Sequence, residues 1–323
     1  MHLRGGSFKR QAEMALAFYS ANYDWLFYRE LRPGQREMIG TKLPRICRFC
    51  GRSAPQARFK DDAHAVSRLT GSDVLFTYDE CSGCNKAFSE LEDDLGKYTL
   101  PAHTFGQVRG FRKIPSLKTG DVRLDMNPGN LRIDIDPATL DQIISEDPEN
   151  HTVTVSIQMQ PYRPLGVYKA FVKMAVTLVP PDELCHFQEA LRWLASEGVA
   201  ENAVSDGFGS CCIQTFAQKT YKFPIVWLLR RKETSSVPYA TFVLSFGSFM
   251  YQIFLTGEAM EARCDRDPAQ LPVFPAPQLV MGTTEEDWVD IRVESLSSPE
   301  KVTAAVWKQT FKYQTREEPG GGG

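Results

Sequence analysis

Four cysteines fall into two Cys-x-x-Cys pairs, Cys47-Arg48-Phe49-Cys50 and Cys81-Ser82-Gly83-Cys84, separated by thirty residues. Two residues between thiolates let the chain turn tightly enough for both sulfurs to reach one ion, and two such pairs complete the tetrahedral sulfur site that zinc takes. With four thiolates bound, no coordination position remains for water. Such a zinc (Zn2+) is structural, and it supplies folding energy to a segment too short to bury much core of its own. The other four of the eight cysteines, Cys185, Cys211, Cys212 and Cys264, lack metal-ligand spacing and read as plain buried or half-buried thiols. Cysteine usage this sparse does not describe a disulfide scaffold and belongs with a reducing compartment.

The residues between and just after the pairs carry the chemistry. Phe59-Lys60-Asp61-Asp62-Ala63-His64-Ala65-Val66 ends a candidate strand on a lone histidine with carboxylates just before it. Asn85 follows Cys84 directly, on a candidate helix that runs through Phe88, Leu91, Glu92 and Leu95. A strand pair packed on that helix and stapled by zinc can hold His64 opposite Asn85. That is a place for a hard divalent ion, Mg2+ or Mn2+, which wants oxygen ligands and keeps several waters. A histidine alone is more often a satisfied structural residue; its place between two zinc pairs and near Asn85 turns the reading toward catalysis.

The order Cys-x-x-Cys, Ala63-His64, Gly71, Cys81-x-x-Cys84-Asn85 and the acidic helix Glu90-Leu91-Glu92 resembles HNH endonucleases of the ββα-metal class, over residues 47–98. The resemblance implies that His64 activates water, that the zinc pairs are structural and that Asn85 helps hold a catalytic metal. Ala63 stands where the family often has an acid, so metal ligation falls to Asp62, Asp61 or Glu92. The family's middle asparagine has no clear counterpart; Ser72 and Asp73 lie nearest by order. The implied reaction is hydrolysis of a phosphodiester, with DNA as the substrate and His64 as the general base. Arg58, Lys60 and Arg68 are placed to contact flanking phosphates, giving salt-dependent affinity rather than base readout. HNH modules with attached domains resemble restriction or antiviral-defence effectors. The alternative is a catalytically inactive, zinc-stabilised module that binds nucleic acid or protein.

Charge is distributed to suit such a partner. The chain of 323 residues has a net charge of −3, yet residues 1–60 hold 12 Lys/Arg against 4 Asp/Glu, while residues 61–150 hold 9 against 17. A basic face beside an acidic, metal-binding one is compatible with holding a phosphate backbone near a cation; two solvated faces docking on each other is the plainer account. The absence of a long apolar run or a signal-like core leads to the expectation of a cytoplasmic protein with no membrane partner.

The length suggests more than one domain. Residues 1–44 read as a helical extension, with apolar positions at helical spacing from Lys9 to Arg36, and residues 45–100 as the HNH-type module. Residues 101–120 read as a basic linker or arm, with Arg109 and Arg112 able to follow a backbone and His103 a linker histidine. Residues 121–316 read as an α+β domain for recognition, sensing or dimerisation, and 317–323 as a disordered tail. In that domain a hairpin is expected around Asn127-Pro128-Gly129-Asn130, then a strand over Thr152–Gln158. Helices follow from Pro164 and over Asp182–Ser196, then strands over Ile225–Leu229, Tyr239–Leu244, Phe249–Leu255 and Asp287–Val293. Strands, two helices and strands again suggest helices packed on a largely antiparallel sheet, so the fold class is α+β. Tyr162, Arg163, Tyr168, Lys169 and Lys173 can stack on and neutralise a nucleotide, although core packing is the simpler role for the aromatics. A homodimer cutting opposite strands and a small-molecule or protein activator are the further partners this division of labour implies.

Overall fold

Long β-branched and aromatic stretches in the C-terminal third set the largest sheet. The computed structural model describes residues 8–34, 36–60, 62–108, 114, 116–119, 122–127, 130–195, 210–255, 275, 277 and 289–313. In chain order its elements are helix α1 (Phe8–Asn22), strands β1 (Tyr23–Glu30), β2 (Glu37–Ile39), β3 (Ala63–His64) and β4 (Leu75–Thr77), and helix α2 (Ser82–Phe105). Strands β5 (Leu117–Thr119), β6 (Val122–Asn127) and β7 (Asn130–Ile135), the short helix α3 (Leu140–Ile143), and strands β8 (Ile144–Asp147) and β9 (Thr152–Gln158) follow. Helices α4 (Pro164–Leu178) and α5 (Gln188–Ala195) precede strands β10 (Cys211–Arg231), β11 (Ala240–Leu255), β12 (Val289–Ser295) and β13 (Val306–Lys312).

Every residue of β11 is buried. It pairs antiparallel with β10, and the two stretches expected as separate strands merge into one because the ladder absorbs irregularity around Tyr221, opposite Gly247. Gly247 has a φ of +57, and any side chain there would run into the backbone of Gly106. The other edge of β10 is shared, β12 covering Cys211–Ala217 and β1 covering Ile225–Arg231. Smaller sheets of order β13-β9-β8, β5-β6-β7 and β2-β4-β3 complete the architecture. The expected hairpin is present, with Asn127 opposite Asn130. An N-terminal region bearing the cysteines, joined to a larger part with several antiparallel sheets, gives an α+β architecture.

Helix α4 occupies the middle. The Pro at its start fixes φ where no N–H is needed, and Pro180-Pro181 follow its end. All fifteen of its residues are buried, as expected of a helix that is apolar nearly all round. Its two lysines, Lys169 and Lys173, are therefore interior; Lys169 lies over the Trp193 ring, and Tyr168 donates to the carbonyl of Phe254. They are not a stacking platform for a nucleotide.

Three expectations are corrected. The helical reading of residues 9–36 ends at Asn22, after which Tyr23, Trp25 and Phe27 form β1, because β10, some two hundred residues away, offers them a ladder. Residues 101–105, expected to begin a linker, continue α2, and His103 is buried at 4% exposure. Cys185 is exposed, whereas Cys211 is half-buried and Cys212 buried. Arg109, Arg112, Cys264 and the 317–323 tail lie outside the described residues.

Candidate functional site

The two cysteine pairs are built differently. In the first, Ile46 and Ser53 form a bridge, the N–H of Cys47 donates to Arg52, and the N–H of Gly51 donates back to Cys47. Gly51 takes a φ of +69, which the turn requires and a glycine adopts without strain. In the second, Cys81 caps α2, its sulfur accepting the N–H of Cys84, and the N–H of Asn85 donates to the Cys81 carbonyl. The N–H of Cys81 also donates to the sulfur of Cys47 at 3.4 Å, which ties the pairs together.

All four sulfurs lie within 4.8 Å of one another, and Cys50 Sγ sits 3.8 Å from Cys81 Sγ. A tetrahedral zinc with bonds of about 2.3 Å requires sulfur–sulfur edges of about 3.8 Å. The donor set fits zinc. A hydrogen bond from the Cys84 thiol, above all, pushes Cys47 down to about 4, and the same contact with burial pushes Cys84 up. Sulfurs this close cannot all shed their protons unless a cation offsets their repulsion. The region therefore holds a structural metal site of the zinc type. Around it Phe49 packs edge-on against Phe88, and the buried Arg48–Asp79 pair spans 2.8 Å.

His64 stands on β3 opposite Phe76 of β4, their rings 4.4 Å apart. Its Nδ1 is buried and, among the described residues, has no hydrogen-bond partner. Burial, then the charges of Arg68 and Lys173, push its pKa down to about 4, so the imidazole is neutral near pH 7. Lys173 of α4, 3% exposed, donates from Nζ to the His64 carbonyl at 3.0 Å and pairs with Glu80, next to Cys81, at 2.9 Å. Burial raises the Glu80 pKa, and the ammonium of Lys173 opposes that rise. Two further ties join α4 to this region. Arg48 donates to the carbonyls of Val176 and Val179, and Asp94 of α2 accepts from both the backbone and the guanidinium of Arg163 at the start of α4.

The remaining sequence-derived residues are more scattered. Asp62 pairs with Arg36, whose guanidinium lies 4.5 Å from the Phe76 ring centre, so Arg36, Phe76 and His64 form one cluster. Asn85 lies in the first turn of α2, and no hydrogen bond among the described residues joins it to His64. Glu92 lines a cavity on the flank of α2. Among the described residues the four cysteines are the one convergent metal-ligating group of His, Cys, Asp or Glu; Asp62 and Glu92 join no second one, and Asp61 lies outside those residues. The residues described do not gather a second site for Mg2+ or Mn2+. Arg58 and Lys60 are exposed and grip the second knuckle through their backbones, the Arg58 carbonyl accepting from Ser82 N–H and the Lys60 N–H donating to the Ser82 hydroxyl. Arg68 is exposed and 3.7 Å from Asp73, and Ser72 is buried.

Sequence reasoning missed Arg36, Glu80 and the structural role of Lys173. Two lysines four apart inside an otherwise apolar helix were the available signal for Lys173; Arg36 offered none, because its neighbour Phe76 is forty residues away. Comparison with known protein families, with curated proteins and with solved structures gives no match.

Proposed function

We propose that the zinc-stapled region binds nucleic acid through its phosphate backbone and, as the sharper reading, hydrolyses a phosphodiester in it with His64 as general base. The observation that carries the proposal is the setting of His64, a half-buried imidazole on a hairpin beside the metal site, flanked by exposed Arg36 and Arg68. The cations supply sequence-independent affinity, with Arg58 and Lys60 extending the contact past the second knuckle. In the hydrolytic step His64 takes a proton from water, the water oxygen bonds to phosphorus, and the 3′ oxygen leaves. DNA is the substrate proposed.

The test compares wild-type protein with His64→Ala at equal zinc content. Binding of fluorescent DNA is followed against salt, and cleavage of plasmid and single-stranded DNA is followed with Mg2+ or Mn2+ present. Binding that weakens steeply with salt, and cutting that falls by about 100-fold or more in the variant, is the expected result. Binding without cutting by either protein removes the hydrolytic step and leaves the binding module. Absence of binding sinks both.

A further inference from the structure

The chain enters the first knuckle through a loop that is tied down at several points. The N–H of Thr41 donates to the Asp79 carboxylate at 2.8 Å. Arg45 then turns inward: its guanidinium lies over the rings of Phe59 and Tyr78, at 4.8 and 5.5 Å, and donates to the carbonyls of both residues. Ile46 closes the loop through its bridge to Ser53. Among these ties Leu43 is 80% exposed and Ile46 50%, and neither joins the hydrophobic core. Exposure of a single leucine is ordinary. Two aliphatic residues on a loop fixed at both ends, with Pro44 fixing a further φ between them, make a standing apolar tip.

The charge around the tip has one sign. Residues 38–60 hold six Lys/Arg and no Asp/Glu. Arg45 and Arg48 are turned inward, and Lys42, Arg52, Arg58 and Lys60 are exposed. Each of the four has a place beside the tip. Lys42 precedes Leu43, the Arg52 carbonyl accepts from the N–H of Cys47, and Arg58 and Lys60 flank Phe59, on which Arg45 rests. Among the described residues none of the four forms an ion pair, whereas Arg29 and Arg32, earlier in the chain, are bound to Glu37 and Glu30.

An aliphatic tip rimmed by uncompensated cations is complementary to a groove of duplex DNA, where apolar side chains wedge between base pairs and cations neutralise the phosphates on either side. An anionic membrane offers the same two chemistries. Two part-exposed aliphatic side chains, however, present less apolar surface than one fatty-acyl chain, which alone binds membranes only marginally. We infer that this loop is a wedge that enters a base step of duplex DNA from the minor groove, Leu43 leading and Ile46 behind it, with the four exposed cations on the flanking phosphates. The inference rests on the nucleic-acid reading above and adds how the duplex is gripped: the helix is kinked at the wedge, so steps that unstack cheaply are preferred. Because the loop is fixed before contact, little conformational freedom is lost on binding.

The zinc-loaded full chain is titrated into a short duplex carrying donor and acceptor dyes at its ends, into the same duplex with a central mismatch, and into phosphatidylserine vesicles. Wild type is expected to bend the intact duplex by about 20–90°, read as a rise in energy transfer, and to bind the mismatched one at least about threefold tighter. Leu43→Ala combined with Ile46→Ala should abolish the bend and the mismatch preference while leaving the salt dependence of binding unchanged. Lys42→Ala combined with Arg52→Ala should do the reverse, lowering the slope of log affinity against log salt by about two and keeping the bend at saturation. All four are surface changes, and equal zinc content verifies the fold. Binding without a bend, or a bend and preference retained by the aliphatic double variant, overturns the wedge and leaves the nucleic-acid reading standing. No binding to either duplex overturns both, and vesicle binding that needs Leu43 and Ile46 assigns the tip to a membrane instead.

Discussion

The β10–β11 ladder and the cysteine region share one hydrophobic core, yet they differ in what is added to it. Along β11 the side chains are mostly apolar or aromatic, and two of its polar ones are joined: Gln252 donates to Thr241 and to the hydroxyl of Tyr19, and Thr241 donates to the Ile253 carbonyl. Around the cysteines the strands are two or three residues long; Phe49, Val66, Leu75 and Phe88 join the main hydrophobic core, and sulfur, the Arg48–Asp79 pair and the Lys173–Glu80 pair add polar ties to it. Apolar burial is spread over many contacts and tolerates local loss, whereas a metal and two buried ion pairs concentrate stability in a few atoms.

Removing the metal should divide the two regions most sharply. Structural zinc contributes apparent binding energies of about 10–16 kcal/mol in small zinc-dependent peptides. Cys81→Ser, or a strong chelator, should abolish zinc content and collapse hydrogen-exchange protection across β3, β4 and the start of α2, while β10 and β11 keep theirs. Equal loss in both regions would show that they fold as one cooperative unit. A smaller effect is expected of Lys173→Met, which leaves Glu80 buried without its counter-charge and should cost about 3–5 kcal/mol in urea unfolding. Combining it with Glu80→Gln should recover much of that loss; strictly additive costs would mean that the two groups do not act as a pair. Smallest of all, Arg29→Ala breaks an exposed bidentate contact with Glu37 and should change stability by less than about 1 kcal/mol. A larger change would mark the link between β1 and β2 as part of the scaffold.

The parts legible in the sequence were those in which neighbours along the chain are also neighbours in space. The two Cys-x-x-Cys turns, the Asn127–Asn130 hairpin and the Pro-bounded α4 are local patterns with local causes. The strand β1 was read as helix because its partner lies near Val226, and His103 was read as a linker residue because Phe246, on which it packs, is also far away along the chain. At the candidate site, sulfur spacing was enough to find the metal ligands. It did not find Arg36, whose neighbour Phe76 lies on β4, or the cavity, which forms where Arg68, Leu69, α2 and Gln160 meet. Of the carboxylates considered as ligands for a second cation, Asp62 is turned to Arg36, and among the described residues it joins no metal-ligating group with Glu92.

The ammonium of Lys173 has a consequence for heredity. The cysteine cassette rests on a lysine encoded more than a hundred codons after its histidine. Transplanted alone, the cysteine cassette would leave Glu80 facing water and the His64 carbonyl without its donor. The helix that supplies both must travel with it, and selection then acts on the two segments as a single inherited trait.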